Sequence, residues 1–225
     1  MWISEVFNSV QGEGRYTGVP SSFVRTSGCN LRCWFCDTPY TSWKPEGFEQ
    51  SSESLLLEIE SFGNEHVVIT GGEPLLVPEM IPFTNELRQR GHFITFETAG
   101  TIVREVQADL MSISPKLSNS TPQGTAWAER HEARRHRPEV IRKLIQNYSY
   151  QLKFVIDQTI DLEGVENWLL EFPKIEEENI FLMPQGIEWD QLSEKMEWIS
   201  EAAATRGWNV SPRKHIELFG NTRGT

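Results

Sequence analysis

Apolar and polar positions alternate along the N-terminal stretch, and the pattern changes period repeatedly further on. Residues 3–10 mix the two classes and read as a short strand that runs into Gln11-Gly12-Glu13-Gly14, a tight turn. Residues 22–27 set Phe23, Arg25 and Ser27 against Val24 and Thr26, a strand leading directly into Gly28 and Cys29. The polar stretch 41–52, with Pro45 and Gly47, reads as a loop. Leu55, Leu56, Ile59 and Phe62 then recur at helical spacing, with Ser51 or Ser52 as N-cap and Gly63 as stop. Residues 66–70 form a β-branched strand ending in Gly71-Gly72-Glu73-Pro74. A helix begins near Pro78 and stops at Gly91, and strands follow at 93–96 and 110–113.

Residues 117–129 are rich in Ser, Thr, Asn and Gly and read as a loop or flap, after which Pro138 can open a helix. A strand at 152–156, a helix at 162–172 and a strand at 180–183 follow. The longest helical pattern spans 189–206, a last strand lies near 208–210, and the tail passes Pro212-Arg213-Lys214-His215. Alternating strands and helices imply right-handed crossovers and a parallel sheet, so the expected fold is α/β, one domain over residues 1–225. About six parallel strands are too few for a closed barrel of about 250 residues, and an open, partial TIM-like β/α barrel fits better. Ligands in such folds bind beyond the carboxyl ends of the strands. Cys29, Gly71-Gly72-Glu73, Glu97, Ser114-Pro115-Lys116, Gln185 and His215 all fall there.

Composition narrows the chemistry. All three cysteines of the chain, Cys29, Cys33 and Cys36, sit within one C-x3-C-x2-C stretch. A structural zinc site normally takes four ligands, and a four-iron cubane held by three thiolates keeps one iron open. Three buried structural thiols, or a zinc site closed by His66 or His92, are the other readings of the same residues. Clustered thiols belong in a reducing compartment. Met1-Trp2-Ile3-Ser4-Glu5 lacks the basic and apolar regions of a signal peptide, and no apolar run reaches the length of a membrane span. A cytoplasmic protein that works away from membranes is therefore expected. The net charge of −11 disfavours general nucleic-acid binding. One basic island, Arg130, His131, Arg134, Arg135, His136 and Arg137, reads either as a solvated helix face or as a docking surface.

Gly71 and Gly72 allow backbone to approach a ligand, and Glu73 offers a negative group to an ammonium. C-x3-C-x2-C followed by Thr70-Gly71-Gly72-Glu73-Pro74 after the next strand resembles the cluster and methionine-binding motifs of the radical S-adenosylmethionine (SAM) superfamily. Within it, Val10-Gln11-Gly12-Glu13-Gly14, Thr17-Gly18-Val19-Pro20, Phe23-Val24-Arg25, Cys36-Asp37-Thr38 and Ser114-Pro115-Lys116 resemble the 7-carboxy-7-deazaguanine synthases. The resemblance implies a carbon–nitrogen lyase that converts 6-carboxy-5,6,7,8-tetrahydropterin to 7-carboxy-7-deazaguanine with loss of ammonia, in queuosine-type biosynthesis. It implies a [4Fe–4S] cluster on Cys29, Cys33 and Cys36, and a magnesium ion on Thr38. SAM would be held by Phe35, Cys36, Asp37, Gly71, Gly72, Glu73, Ser114, Pro115, Lys116 and Gln185. The pterin would contact Val10, Gln11, Gly12, Glu13, Arg25, Thr70 and His215. The 5′-deoxyadenosyl radical drawn from SAM, rather than a protein side chain, would do the hydrogen abstraction. Expected partners are an electron donor such as flavodoxin and a second copy of the chain in a homodimer. An activase of glycyl-radical enzymes would share the cluster and Gly-Gly-Glu-Pro, and a non-catalytic iron–sulfur or zinc module would share the thiols alone.

Overall fold

Nine strands pair in one sheet in the computed structural model, which describes residues 1–225. In chain order they are β1 (Trp2–Val10), β2 (Pro20–Thr26), β3 (Phe48–Glu49), β4 (His66–Gly71), β5 (Phe93–Thr98), β6 (Leu110–Ile113), β7 (Tyr150–Ile156), β8 (Ile180–Pro184) and β9 (Asn209–Val210). Their spatial order is β3-β1-β2-β4-β5-β6-β7-β8-β9. Every pairing from β2 to β9 is parallel. The expected six parallel strands are present, extended by the two-residue β9. The opening strand adds an antiparallel hairpin with β2 and carries β3 on its outer edge.

The helices are α1 (Pro39–Ser42), α2 (Ser52–Phe62), α3 (Met80–Gln89), α4 (Ala128–Arg135), α5 (Pro138–Asn147), α6 (Asp161–Leu169), α7 (Trp189–Thr205) and α8 (Lys214–Phe219). Their boundaries follow local chemistry. The Ser51 hydroxyl accepts from the Ser54 N–H at 3.2 Å to open α2, and Gly63, at φ 71°, closes it in the left-handed region. Leu55, Leu56 and Ile59 of α2 pack into one apolar core with Val67 and Ile69 of β4 and Phe154 of β7. Continuous apolar runs such as Val67-Val68-Ile69 are what a parallel strand covered on both faces requires.

Two expectations need correction. The 41–52 stretch is not only loop, since α1 ends within it and β3 pairs with β1. The 117–129 stretch is loop only as far as Trp127, and the basic island that follows is largely α4. The C-terminal segment adds order that the pattern did not show. Arg213 is buried, donates to the Gly186 carbonyl at 2.5 Å and leads into α8, so an internal partner orders this segment.

The Gln11–Gly14 turn is drawn into the open side of the sheet. The Lys214 N–H donates to Gly12 O at 2.9 Å, the Gly14 N–H to Ser211 Oγ at 2.8 Å and the Arg15 N–H to Gln151 Oε1 at 2.9 Å. Gly14 is required by this approach: at φ 69°, an added Cβ would lie 2.2 Å from Gln151 Nε2. The turn thus brings the start of the chain against its end. No helix is long and apolar enough to cross a membrane.

Candidate active site

The carboxyl ends of β2, β4, β5, β6 and β8 open into one cavity, and nearly every residue singled out from the sequence lies on its wall. The cluster loop follows β2. Cys29, Cys33 and Cys36 all face the cavity and pack with Leu31, Phe35 and Ala99. Burial pushes the thiols of Cys29 and Cys33 up to about 12, a burial cost that coordination to a cationic metal centre would offset. No three His, Cys, Asp or Glu side chains converge closely enough to hold a single metal ion. In a multi-iron cluster, by contrast, each thiolate takes a different iron. The histidines that could have closed a zinc site are elsewhere. His66 is buried between Ser21 Oγ and Thr95 Oγ1 at 2.9 and 2.8 Å, and His92 contacts the Glu65 carbonyl. The donor set therefore fits an iron–sulfur cluster better than zinc.

Gly71 and Gly72 form the next wall. Gly71 sits at φ 137°, and an added Cβ there would come within 2.2 Å of Thr26 O. Gly72 lies against the backbone of Gly28, just before the first cysteine. Ser114 and Lys116 line the cavity after β6, with the Lys116 ammonium donating to Ser114 O at 2.9 Å. Phe35, Asp37 and Gln185 complete this side.

Two of the residues expected around SAM lie off the cavity wall. Glu73 turns away from the cavity and is fully buried. Its carboxylate accepts from Thr98 Oγ1 and the Ala99 N–H at 2.9 Å, and from the Leu75 N–H at 3.1 Å. It caps the short turn Pro74–Leu76 instead of presenting charge to an ammonium. Burial nevertheless leaves its carboxyl above the usual range, because those donors offset only part of the desolvation. Pro115 is likewise off the cavity wall, between two residues that are on it.

Val10, Gln11, Gly12, Glu13, Arg25, Thr70 and His215 line the same cavity. The Arg25 Nε donates to Glu5 Oε2 at 2.9 Å, and the guanidinium lies over the Phe7 ring at 5.4 Å. Neither Nη nitrogen of Arg25 has a protein acceptor. His215 rests on Gly12, where a Cβ would fall 1.9 Å from His215 Nδ1, so only glycine fits beneath the imidazole. The Thr38 hydroxyl faces the cavity next to the cluster loop, with Thr41 Oγ1 at 3.3 Å.

A charged network on this wall was not legible as a site. Lys153, from the middle of β7, is buried and donates to Glu13 Oε2 and Glu97 Oε2, each at 2.7 Å. Gln11 Nε2 also donates to Glu97 Oε1 at 3.2 Å. Arg213 reaches Glu13 at 3.3 Å and forms an ion pair with Asp37. Burial alone would raise the Glu13 carboxyl, but Lys153 and Arg213 overcome it and hold Glu13 well below the usual range. Glu97 goes the other way. Burial raises it, and Lys153, shared with Glu13, does not bring it back. Lys153 itself is held charged by its two carboxylates against the cost of burial. The sequence pattern puts Glu97 at a strand end but offers nothing that marks Lys153 or Arg213 as part of a site.

The chain is similar to known proteins of one family. A family model described as the radical SAM superfamily matches residues 23–149. A 7-carboxy-7-deazaguanine synthase of Rhodopirellula baltica is 45% identical, with the match covering 99% of this chain and 88% of the relative. A synthase of the same name from Halobacterium salinarum is 40% identical over 99% of this chain and 92% of its own. Among solved structures, the crystal structure of QueE from Escherichia coli is 27% identical, with a TM-score of 0.71 over 95% of this chain and 94% of that one. A structure of TYW1 with a lysine–pyruvate adduct, 13% identical at a TM-score of 0.52, shares the fold alone.

Proposed function

The chain belongs to the 7-carboxy-7-deazaguanine synthases of the radical SAM superfamily, and from that membership we propose how its cavity holds the reactants. It is a radical SAM lyase that makes 7-carboxy-7-deazaguanine from a pterin, 6-carboxy-5,6,7,8-tetrahydropterin, with loss of ammonia. The observation that carries the residue assignments is a single cavity that three thiols and a glycine pair line together with Gln11, Arg25 and His215. When bound, the [4Fe–4S] cluster and SAM supply the one-electron chemistry that starts hydrogen abstraction.

The residues do the holding. Cys29, Cys33 and Cys36 take the cluster. The backbone at Gly71 and Gly72, the Ser114–Lys116 strand end, Asp37 and Gln185 surround SAM, with Phe35 beside its adenine. The Glu73 side chain supports this wall from behind. The pterin lies against Val10, Gln11, Gly12, Thr70 and His215. Its amino-pyrimidine edge needs acceptors, which Glu13, Glu97 and nearby backbone carbonyls provide. A wall in which Lys153 and Arg213 hold the Glu13 carboxylate charged suits a small polar substrate better than a protein partner.

Arg25 faces the pterin carboxylate. Glu5 fixes its Nε, so the two free Nη nitrogens can make a forked contact that an ammonium cannot reproduce. Arg25→Lys should therefore raise the Kd for the substrate about tenfold or more. SAM cleavage in the absence of substrate should stay normal. Normal substrate affinity in this variant would assign Arg25 to structure alone.

Thr38 places a hard oxygen on the cavity wall, and we assign it to a magnesium ion completed by substrate oxygens and water. Adding Mg2+ to metal-stripped enzyme should raise turnover. Thr38→Ala should lose most of that stimulation and leave the cluster spectrum unchanged. Equal stimulation in both proteins would remove Thr38 as a ligand.

The electron donor is an external reductant such as flavodoxin, and the working compartment is the cytoplasm. A homodimer would cover Trp2 and Phe48, each 51% exposed on the β3 edge of the sheet. The experiment that tests the whole assignment is anaerobic turnover of the reconstituted protein with the carboxylated tetrahydropterin, dithionite and SAM. The product mass should be that of 7-carboxy-7-deazaguanine. SAM cleavage without change in the pterin would refute it.

A further inference from the structure

The cluster loop has an outer side as well as the side that lines the cavity. Arg32 and Trp34, the chain neighbours of Cys33, lie on it, and Trp34 is 51% exposed. The segment running from Ser118 into α4 is fastened against this side by a continuous chain of hydrogen bonds. The Arg32 N–H donates to His131 Nδ1 at 3.1 Å. The other ring nitrogen of His131, Nε2, then donates to Ser120 Oγ at 2.9 Å, and Ser120 Oγ donates to Leu117 O at 2.6 Å. The Trp34 indole N–H reaches Asn119 O at 2.6 Å and its backbone N–H reaches Ser120 O at 3.2 Å. His131 is fully buried, so α4 turns one face to the cluster loop and the opposite face to solvent.

The flank of α4 between those two faces is cationic. Two guanidinium groups lie over the ring of Trp127, at the start of α4: Arg32 at 4.3 Å and Arg130 at 5.1 Å from its centroid. Arg134, one turn beyond Arg130, falls on the same side. The other basic residues at the end of the island are already engaged: Arg135 by Glu132, His136 by Glu171 and Arg137 by Glu139. Arg130 and Arg134 have no carboxylate partner, and Glu129 is the one unpaired carboxylate on the helix. In a chain of net charge −11, two arginines on one tryptophan beside the cluster loop, with Arg134 one turn further along α4, form a local reversal of sign.

We infer that this face, formed by Arg32, Trp34, Trp127, Arg130 and Arg134, is where an acidic one-electron carrier protein docks. The inference rests on the radical SAM function, which consumes an electron from outside the chain. SAM and substrate occupy the cavity side of the loop, so a protein-sized donor must approach from the other. In each productive encounter one electron passes from the reduced carrier to the iron–sulfur centre, and the carrier leaves oxidised by one electron. Charge complementarity selects an acidic partner, and such contacts act chiefly on association rate and its salt dependence.

The test uses reduced flavodoxin as the probe and the reconstituted full chain. Arg130→Glu/Arg134→Glu should weaken flavodoxin binding about tenfold or more at low salt and raise the KM for flavodoxin in turnover. Raising the salt should shrink the difference from the parent protein. Dithionite-driven turnover and iron content should not change. Lys174→Glu, the same kind of charge reversal at an exposed site elsewhere, should bind as the parent does. Parent-like binding by the double variant would overturn the inference. So would an equal loss with dithionite, which would make the patch structural, or capture of an RNA oligonucleotide in place of flavodoxin. A parent protein that binds flavodoxin through this face but does not convert the pterin would instead count against the catalytic assignment, leaving the docking surface standing.

Discussion

Lys153→Met should destabilise the fold by roughly 3–5 kcal/mol, more than any conservative change on the cavity surface, because it leaves buried carboxylates without their cation. Lys153 is 1% exposed, and its ammonium is shared between Glu13 and Glu97 at 2.7 Å each. Methionine matches its length and apolar stem but supplies no charge. Glu13 keeps Arg213 at 3.3 Å, so the unbalanced group is Glu97, which must take up a proton for the variant to fold. The sign of the pH dependence follows. A carboxyl whose folded pKa rises further above its unfolded value loses stability as pH climbs through and beyond the unfolded value. The deficit of the variant against the parent should thus be larger at about pH 8 than at about pH 5. Chemical unfolding at the two pH values reads this directly. Lys153→Met/Glu97→Gln should recover much of the loss, since glutamine can still accept from Gln11 without carrying charge. A single variant within about 1 kcal/mol of the parent at both pH values would show that the network is not held by this cation.

This network also marks where the sequence stops being informative. The positions of the site on the chain were legible because they coincide with strand ends: Cys29 after β2, Gly71 and Gly72 at the end of β4, Gln185 after β8. Strand and helix order was legible for the same reason, since continuous apolar runs and capped amphipathic helices are written locally. Lys153 was not. In Tyr-Gln-Leu-Lys-Phe-Val-Ile it shares a face with Gln151 and Val155, and alternation alone cannot say whether that face meets water or a buried carboxylate. Its partners Glu13 and Glu97 are 140 and 56 residues away. Arg213 was hidden in the same way, its partners Asp37 and Gly186 being brought to it only by the folded tail. Glu73 is the opposite case. It sits in a motif whose backbone faces the cavity, and nothing in that motif says that its side chain points elsewhere. In fact the extended backbone at that residue sends the carboxylate back over the following turn. Side-chain direction at an irregular junction depends on φ and ψ, which the motif does not record.

Gly72→Ala should disable the cluster loop while leaving most of the protein folded. An added Cβ would lie 2.2 Å from Gly28 O, 2.6 Å from Gly28 C and 2.7 Å from Thr41 O. These are backbone atoms, and they cannot rotate aside as a side chain would. They are also already committed, since Gly28 N–H donates to Thr41 O at 2.8 Å and Gly28 O accepts from the Glu73 N–H at 2.9 Å. Relief of the clash must therefore move Gly28, and with it Cys29, the first thiol of the cluster motif. Overpacking of this kind costs about 1–3 kcal/mol, which a domain with so large a common core can absorb. The geometry of a three-thiol site is less tolerant, and a displacement near 1 Å is enough to cost about a hundredfold in rate. Iron and sulfide per chain after reconstitution should fall below half of the parent value, and SAM cleavage should fall about a hundredfold. Gly164→Ala supplies the contrast. Gly164 lies inside α6, an added Cβ meets nothing closer than Leu117 Cδ1 at 3.4 Å, and alanine there should be neutral or stabilise by about 0.5–1 kcal/mol. Full iron content and normal cleavage in Gly72→Ala would mean that the cluster loop is not braced by this contact, and that the two glycines serve the ligand alone.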